Sequence, residues 1–374
     1  MTLIKTVKQI SDHRDNRGKK HPLWMLLLIV LLGDLCGYRG YRPLESFCKL
    51  HWQSLQRLMG IPEGASVPSY STSRRLQIHI APDQWELLYT QWSVQTCPQY
   101  PVSLQYAIDG KSIRCTSTRG QDRGHNYFSV VSVYNAQIAG VLTLKVLQNQ
   151  DCSEIHAVQS LLKTLALEPG QWFSLDALHS QKETVRLIVS QGHHYLIGVK
   201  RNQPTLYRTL QTLDTESTPC SCVTLPLETS HGHTVERTVK VYEAPGHLQD
   251  QWANLRSLIV VHTKGTRDGE PYEGTRYFIS DAQDTPQEWA LRVREHWRIE
   301  NSLHWVKDVT LSEDEPPRRG GFAPVNWAIL NTWWVTLARR LQARTVPDLM
   351  RRLANQLEHV WQLLMGTYPL PIEA

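Results

Sequence analysis

The first 95 residues carry apolar positions at helical spacing. Pro22 opens a run from Leu23 to Leu32, with Gly33 and Gly37 set to interrupt or close it. Leu44, Phe47, Cys48, Leu55 and Leu58 predict a helix over Arg42–Met59, and another is expected over Pro82–Gln95. Between them Pro68-Ser-Tyr-Ser-Thr-Ser-Arg-Arg75 reads as a capped helix start, with Ser71 or Thr72 as N-cap and Arg74 and Arg75 behind it. After a linker at Thr96–Pro101 the period changes to two. Val102, Leu104, Tyr106 and Ile108 alternate with polar or small residues and predict a strand ending at Asp109-Gly110. Phe128–Tyr134 and Val141–Leu147 predict a hairpin or meander, and Ser153–Leu167 an amphipathic helix. Then come a strand at Trp172–Leu175, a helix at Lys182–Ser190 and a strand at Tyr195–Val199. That order is α/β with both antiparallel and parallel neighbours. Residues 213–280 read as a strand-rich insertion, with strands at Thr234–Tyr242, Leu258–Thr263 and Tyr277–Ser280. Pro286 opens a long helix through Lys307, and helical sequence returns at Asn326–Arg344 and after Pro347.

Composition narrows the class. At 374 residues, 41% hydrophobic and 20% charged, the chain is globular and long enough for more than one region. Seven cysteines, an odd number without framework spacing, read as reduced cytosolic thiols. The Leu23–Leu32 run is short of the roughly 20 apolar residues that a spanning helix needs, so no membrane role is expected. The net charge of +5 is unevenly placed. Residues 1–95 hold 12 basic against 7 acidic side chains, and 316–352 holds seven Arg against Asp348 alone. The stretch 96–315 is acidic, with 21 basic against 25 acidic side chains. Basic ends suggest a polyanion partner, although ordinary solvated surface is the better explanation of so small a net charge if nothing else points the same way.

Three carboxylates stand in special places. Asp109 and Asp176 each follow a predicted strand, and Glu300 lies on the long helix. Together they offer oxygen ligands suited to Mg²⁺ or Mn²⁺, and two such ions can cleave a phosphodiester. Each taken alone is more often a turn residue or a solvated acid. At 3.6 residues per turn Val293, Trp297, Glu300, His304 and Lys307 share a face, with His296 adjacent, a mixture poorly suited to simple burial. Cys220, Cys222, His231 and His233 form a weak zinc pattern, since sharp zinc sites usually show CxxC. The zinc-protease HExxH spacing is absent. Trp327, Trp333 and Trp334 read as core, not as base-stacking residues.

Four segments in order carry a resemblance over nearly the whole chain: Ala107-Ile-Asp-Gly-Lys-Ser-Ile-Arg114, Ser174-Leu-Asp-Ala-Leu-His-Ser-Gln-Lys182, Tyr195-Leu-Ile-Gly-Val-Lys-Arg-Asn-Gln-Pro-Thr-Leu206, and Arg294 through Val309. They resemble the DDE transposases of bacterial insertion sequences, in the ISAs-type group that includes the H-repeat-associated proteins. Arg14 through Gly37 is similar to that family's associated N-terminal domain. The resemblance implies a ribonuclease-H-like catalytic domain over 96–345 with its β-rich insertion at about 213–280. A helical, DNA-binding domain at 1–95 would precede it and a helical tail at 346–374 would follow.

It also implies Asp109, Asp176 and Glu300 as the catalytic and metal-binding triad, with two Mg²⁺ or Mn²⁺ ions. The Glu-x₆-Lys spacing of a related signature is met by Glu300 and Lys307. Its upstream Tyr and Arg are replaced by Val293 and His296, with Arg294 near, so Lys307, Arg294 and His296 are candidate DNA contacts. Lys200, Asn202 and Gln203 could orient substrate or support the sheet edge, and Arg74 and Arg75 could face phosphates, although an exposed helix start explains them equally well. His231, Glu236 and Arg237 match a family pattern whose role the residues do not reveal. The expected partner is double-stranded DNA, both terminal inverted repeats and target, bound by a homodimer in the bacterial cytoplasm at the nucleoid. The alternatives are a non-transposing DNA-binding protein and a simple nuclease of the same fold.

Overall fold

The computed structural model describes residues 3–12, 14–16, 19–97, 103–119, 125–136, 140–230, 232–316 and 318–367. The chain forms two compact units, one from Met1–Tyr100, Lys111–Asp151 and Asn301–Ala374, the other from Pro101–Gly110 and Cys152–Glu300. In chain order the strands are β1 (Gln105–Arg119), β2 (His125–Asn135), β3 (Gly140–Gln148), β4 (Trp172–Leu175), β5 (His194–Val199), β6 (Ser221–Thr224), β7 (Glu228–Ser230), β8 (His233–Glu243), β9 (Ser257–Arg267) and β10 (Glu270–Ser280).

The first unit is dominated by helices. Leu23–Leu35 is buried on every side from Met25 to Leu35, so it is a core helix, as its length implies. It runs through Gly33 instead of breaking there, because a Cβ at Gly33 would sit 2.5 Å from the Leu44 side chain of the next helix. Gly37, at φ +94, supplies the turn that follows. The helix after the Ser/Thr cluster spans Tyr70–His79 with Ser69 as N-cap, two or three residues earlier than expected. Ser71 and Thr72 lie inside it, and the Ser69 hydroxyl bonds to both of theirs at 2.9 and 3.1 Å. Trp333, on helix Ala323–Arg340, packs against Trp85, Tyr89 and Trp92 at centroid distances of 6.1, 4.8 and 5.7 Å. Trp327, Trp333 and Trp334 are all core residues. The distal half of β1 with β2 and β3 gives this unit its strands, in the order β3-β2-β1.

The second unit is a mixed sheet in the order β1-β4-β5-β10-β9-β8-β6, with β7 on β8. The proximal half of β1 pairs parallel with β4, and β4 parallel with β5. Helices Glu154–Thr164 and Lys182–Ser190 fall in the crossovers that parallel neighbours require. From β10 onward every pairing is antiparallel. The strand-rich segment therefore continues the sheet edge and does not form a separate body. Helix Pro286–Ile299 opens with a full capping box between Thr285 and Glu288. It lays Trp289 and Val293 on Trp172, Leu196, Val239, Ile259 and Phe278, all buried. The α/β, ribonuclease-H-like class with a β-rich insertion and preceding helices stands.

Two local expectations do not. Asp109-Gly110 does not end β1, which continues to Arg119. A Cβ at Gly110 would lie 2.4 Å from the Glu154 carboxyl, so this glycine serves close approach and makes no turn. The long helix also changes its winding at Glu300 and is π-helical over Glu300–His304 and Val306–Thr310. Wider turns break the 3.6-residue spacing assumed for a shared face. Glu300 is exposed while His304 and Lys307 are buried.

Candidate active site

The geometry of the site begins with register. Ile108 pairs with Leu175, and Leu175 with Ile197, so Asp109 and Asp176 follow the last paired residues of neighbouring parallel strands. The two acids stand on the same rung, side by side. Gly198 occupies the corresponding place after Ile197, where a Cβ would lie 3.2 Å from the Ala177 amide nitrogen. Its missing side chain gives the turn after Asp176 its room.

Asp176 caps that turn, its Oδ1 accepting from the Leu178 amide at 2.9 Å. Below, two hydrogen bonds brace the loop: Asn202 donates to the Ala177 carbonyl and Gln203 to the Ser180 carbonyl, each at 2.6 Å. Asn202 and Gln203 thus act on the loop that carries Asp176.

From the helix Pro286–Ile299, the buried face brings His296 beneath Asp176. Its Nδ1 lies 3.2 Å from the Ser174 hydroxyl. Burial pushes the imidazole down to about 4, against the opposing pull of the Asp176 carboxylate and of hydrogen bonding to Ser174, so it is neutral at pH 7. His296 is a neutral floor to the site, only 5% exposed. At the end of the helix Glu300 places a carboxylate oxygen within 4.8 Å of one from Asp109. The Asp109 and Glu300 oxygens at that separation fit a hard divalent cation such as Mg²⁺ or Mn²⁺, whereas Asp176 lines the same cavity from the neighbouring strand without joining that ligand group.

Asp109, Asp176, Glu300 and His296 line one cavity of about 650 Å³, together with Lys200, Arg201, Arg276 and Trp297. The Arg276 guanidinium lies over the exposed Trp297 ring, 4.6 Å from its centre. Lys200 and Arg201 are exposed at the mouth of β5. Arg294 is exposed too, paired with Glu228 at 3.1 Å, a carboxylate also held by Arg237 at 2.9 Å. Glu236 is exposed on β8.

The remaining candidates lie elsewhere. Lys307 belongs to the helical unit, where it is 1% exposed and pairs with Glu313 at 3.2 Å. Burial pushes its ammonium down, with Glu313 opposing. Lys111 joins the same cluster through Asp308 at 2.7 Å and Glu313 and Asp314, each at 3.5 Å. Arg74 and Arg75 are exposed midway along helix Tyr70–His79. His231 lies outside the described residues. Among the described residues Cys220, Cys222 and His233 do not converge into a ligand group.

Comparison with known proteins decides the family. A family model described as "Transposase DDE domain" matches residues 101–332, more than half of the chain. The chain belongs to the DDE transposase family. A second model, described as "DDE_Tnp_1-associated", matches residues 4–93. Among relatives of this transposase, the Escherichia coli K12 protein named "H repeat-associated putative transposase YhhI" is 28% identical over 335 residues, covering 86% of each chain. The Escherichia coli O157:H7 protein named "Putative transposase YncI" is 28% identical over 338 residues, covering 87% of this chain and 84% of its own. No helix among the described residues is long and apolar enough to cross a membrane.

Two residues of the site escape a reading of spacing. Arg276 sits in the strand-rich insertion, 100 positions from Asp176, and nothing local marks it. His179 lies inside one of the resembling segments, yet its burial beside Asp176 becomes visible only once the turn is built.

Proposed function

We propose that this chain is an active transposase that cuts phosphodiester bonds at the ends of its element and joins the freed 3′-hydroxyl to target DNA. Asp109, Asp176 and Glu300 would hold two Mg²⁺ or Mn²⁺ ions. The observation that carries this reading is the in-step placement of Asp109 and Asp176, with Glu300 within 4.8 Å of Asp109, in one cavity rimmed by cations. Bound there, the ions would supply Lewis-acid activation of the attacking oxygen and neutralise charge on the phosphate.

The chain's own residues do the rest. The Leu178 amide holds Oδ1 of Asp176, which fixes the carboxylate and leaves Oδ2 for a cation. Neutral His296 supports that side without adding a positive charge that would compete with a metal ion. Lys200, Arg201 and Arg276 offer mobile or planar cations to the phosphates on either side of the cut. Pairing two DNA ends calls for at least two copies of the chain, so a homodimer on DNA is part of the proposal.

The test uses a duplex carrying the inverted repeats that flank this reading frame, incubated with full-length protein and Mg²⁺ or Mn²⁺. Cleavage at the repeat followed by joining to a second duplex is expected. Asp109→Asn, Asp176→Asn and Glu300→Gln should each reduce both steps to background. Full cleavage by any of these variants overturns the triad, and cleavage without joining reduces the protein to a nuclease.

A further inference from the structure

A fourth acid lies against the triad. Glu154 opens the helix Glu154–Thr164, directly after its N-cap Ser153, whose side chain accepts from the His156 amide. An acid in a first turn ordinarily complements the helix dipole and points to water. Here the Glu154 side chain turns inward: its carboxyl packs on the Cα of Gly110, the residue after Asp109, so closely that a Cβ there would lie 2.4 Å away.

The same carboxylate meets His179. The His179 ring is fully buried, and its Nε2 lies 3.1 Å from Glu154 Oε1 and 3.9 Å from Asp176 Oδ1. Its Nδ1 has no hydrogen-bond partner among the described residues. A buried imidazole nitrogen facing two carboxylates must carry its proton on that side, so Nε2–H donates to Glu154 and faces Asp176. The network therefore touches both aspartate-bearing strands. Glu154 abuts the backbone after Asp109, and His179 stands between Glu154 and Asp176.

We infer that Glu154 and His179 form a positioning pair for the metal-binding aspartates, with Glu154 orienting His179 and His179 separating and aligning the Glu154 and Asp176 carboxylates. Residues behind metal ligands fix ligand orientation, and their loss typically weakens binding about 10- to 100-fold. Gly110 is the third part of the device, since any larger residue displaces the Glu154 carboxyl. The inference rests on the divalent-ion reading of the triad.

The experiment measures Mn²⁺ affinity of the full-length protein without DNA, by paramagnetic resonance or calorimetry, beside its thermal unfolding midpoint. Glu154→Gln keeps the shape of a partly exposed side chain and is expected to weaken Mn²⁺ binding about tenfold or more, with an unfolding midpoint close to wild type. His179→Ala should do the same. His179→Gln, which returns an N–H at similar reach, should recover part of the affinity, an outcome that a merely space-filling histidine would not give. In cleavage assays the Mn²⁺ concentration for half-maximal rate should rise more than the maximal rate falls.

Wild-type affinity in Glu154→Gln and His179→Ala, alongside loss in Asp176→Asn, overturns the positioning pair and leaves the triad standing. Wild-type affinity in Asp109→Asn and Asp176→Asn removes the metal site itself, and the pair with it.

Discussion

At the scale of single residues, spacing and environment part company at Lys307. Seven positions after Glu300, it satisfies a Glu-x₆-Lys signature, yet its ammonium is buried against Glu313 with Lys111, Asp308 and Asp314 around it. A buried charge that loses its partner typically costs about 3–5 kcal/mol. Lys307→Ala strips Glu313 of its nearest cation but leaves Lys111 at 3.5 Å, so a loss near the low end, about 3 kcal/mol, is expected from denaturant unfolding. Lys307→Met, which refills the volume, should cost less than the alanine. Equal losses in both variants would point to packing in place of charge pairing. Asp109, Asp176 and Glu300 stood out as candidates because motif segments surround each of them. Glu154 did not, because an acid at the start of a helix is what any helix prefers, and its contacts with Gly110 and His179 distinguish this one.

At the scale of elements, periodicity found most strands and helices, passed over β6 and β7, and missed how others continue. The alternation at Leu104, Tyr106 and Ile108 located β1, but Asp-Gly suggested a stop where the strand runs on for nine more residues to Arg119. No periodic signal announces a change to π winding at Glu300, since it depends on packing beyond the segment. The strand-rich insertion was legible as strands, whereas its union with the main sheet through the β5–β10 pair was not.

Farther along the same sheet, β8 and β9 are tied to helix Pro204–Glu216 by Asp214, near the end of that helix. It bonds Lys240 of β8 at 2.8 Å and His262 of β9 at 2.9 Å. Burial raises the Asp214 carboxyl, but the bonds to Lys240 and His262 outweigh it and hold it below the usual 3.8. The lowered value means that the folded state binds this proton less readily than the unfolded chain. Its stabilisation is full above pH 3.8 and is lost as pH falls through the depressed folded value. Asp214→Asn should therefore lower stability at pH 7 and flatten the part of the acid-unfolding curve below about pH 4. An unchanged acid limb in the variant would remove Asp214 from that transition.

At the scale of the whole molecule, the charge pattern follows the two compact units. The basic stretches at both ends of the chain, 1–95 and 316–352, fall in one compact unit, and the acidic triad in the other. The basic ends are therefore parts of one body. Some of that basic charge is internal: Arg340 is buried, donating to Ser93 Oγ at 2.7 Å and to Thr96 Oγ1 at 2.6 Å. Linear counting could not separate such structural arginines from exposed ones. Arg74 and Arg75 are exposed, and if they meet phosphate, each alanine substitution should reduce the slope of log affinity against log salt by about 0.9 for duplex DNA. A slope equal to wild type in both variants would take them off the DNA path.

The shared rung of Asp109 and Asp176 has an evolutionary corollary. Successive side chains of a strand face opposite ways, so the alternation that buries Ile108 also decides where Asp109 points. Removing one codon between Gln105 and Ile108 slides β1 by one position against β4 and turns either its apolar set or its carboxylate to the wrong face. Removing two restores the facing at the cost of strand length. For copies of such an element decaying in a genome, the parity of small in-frame deletions, more than their size, would separate repairable lesions from dead ones.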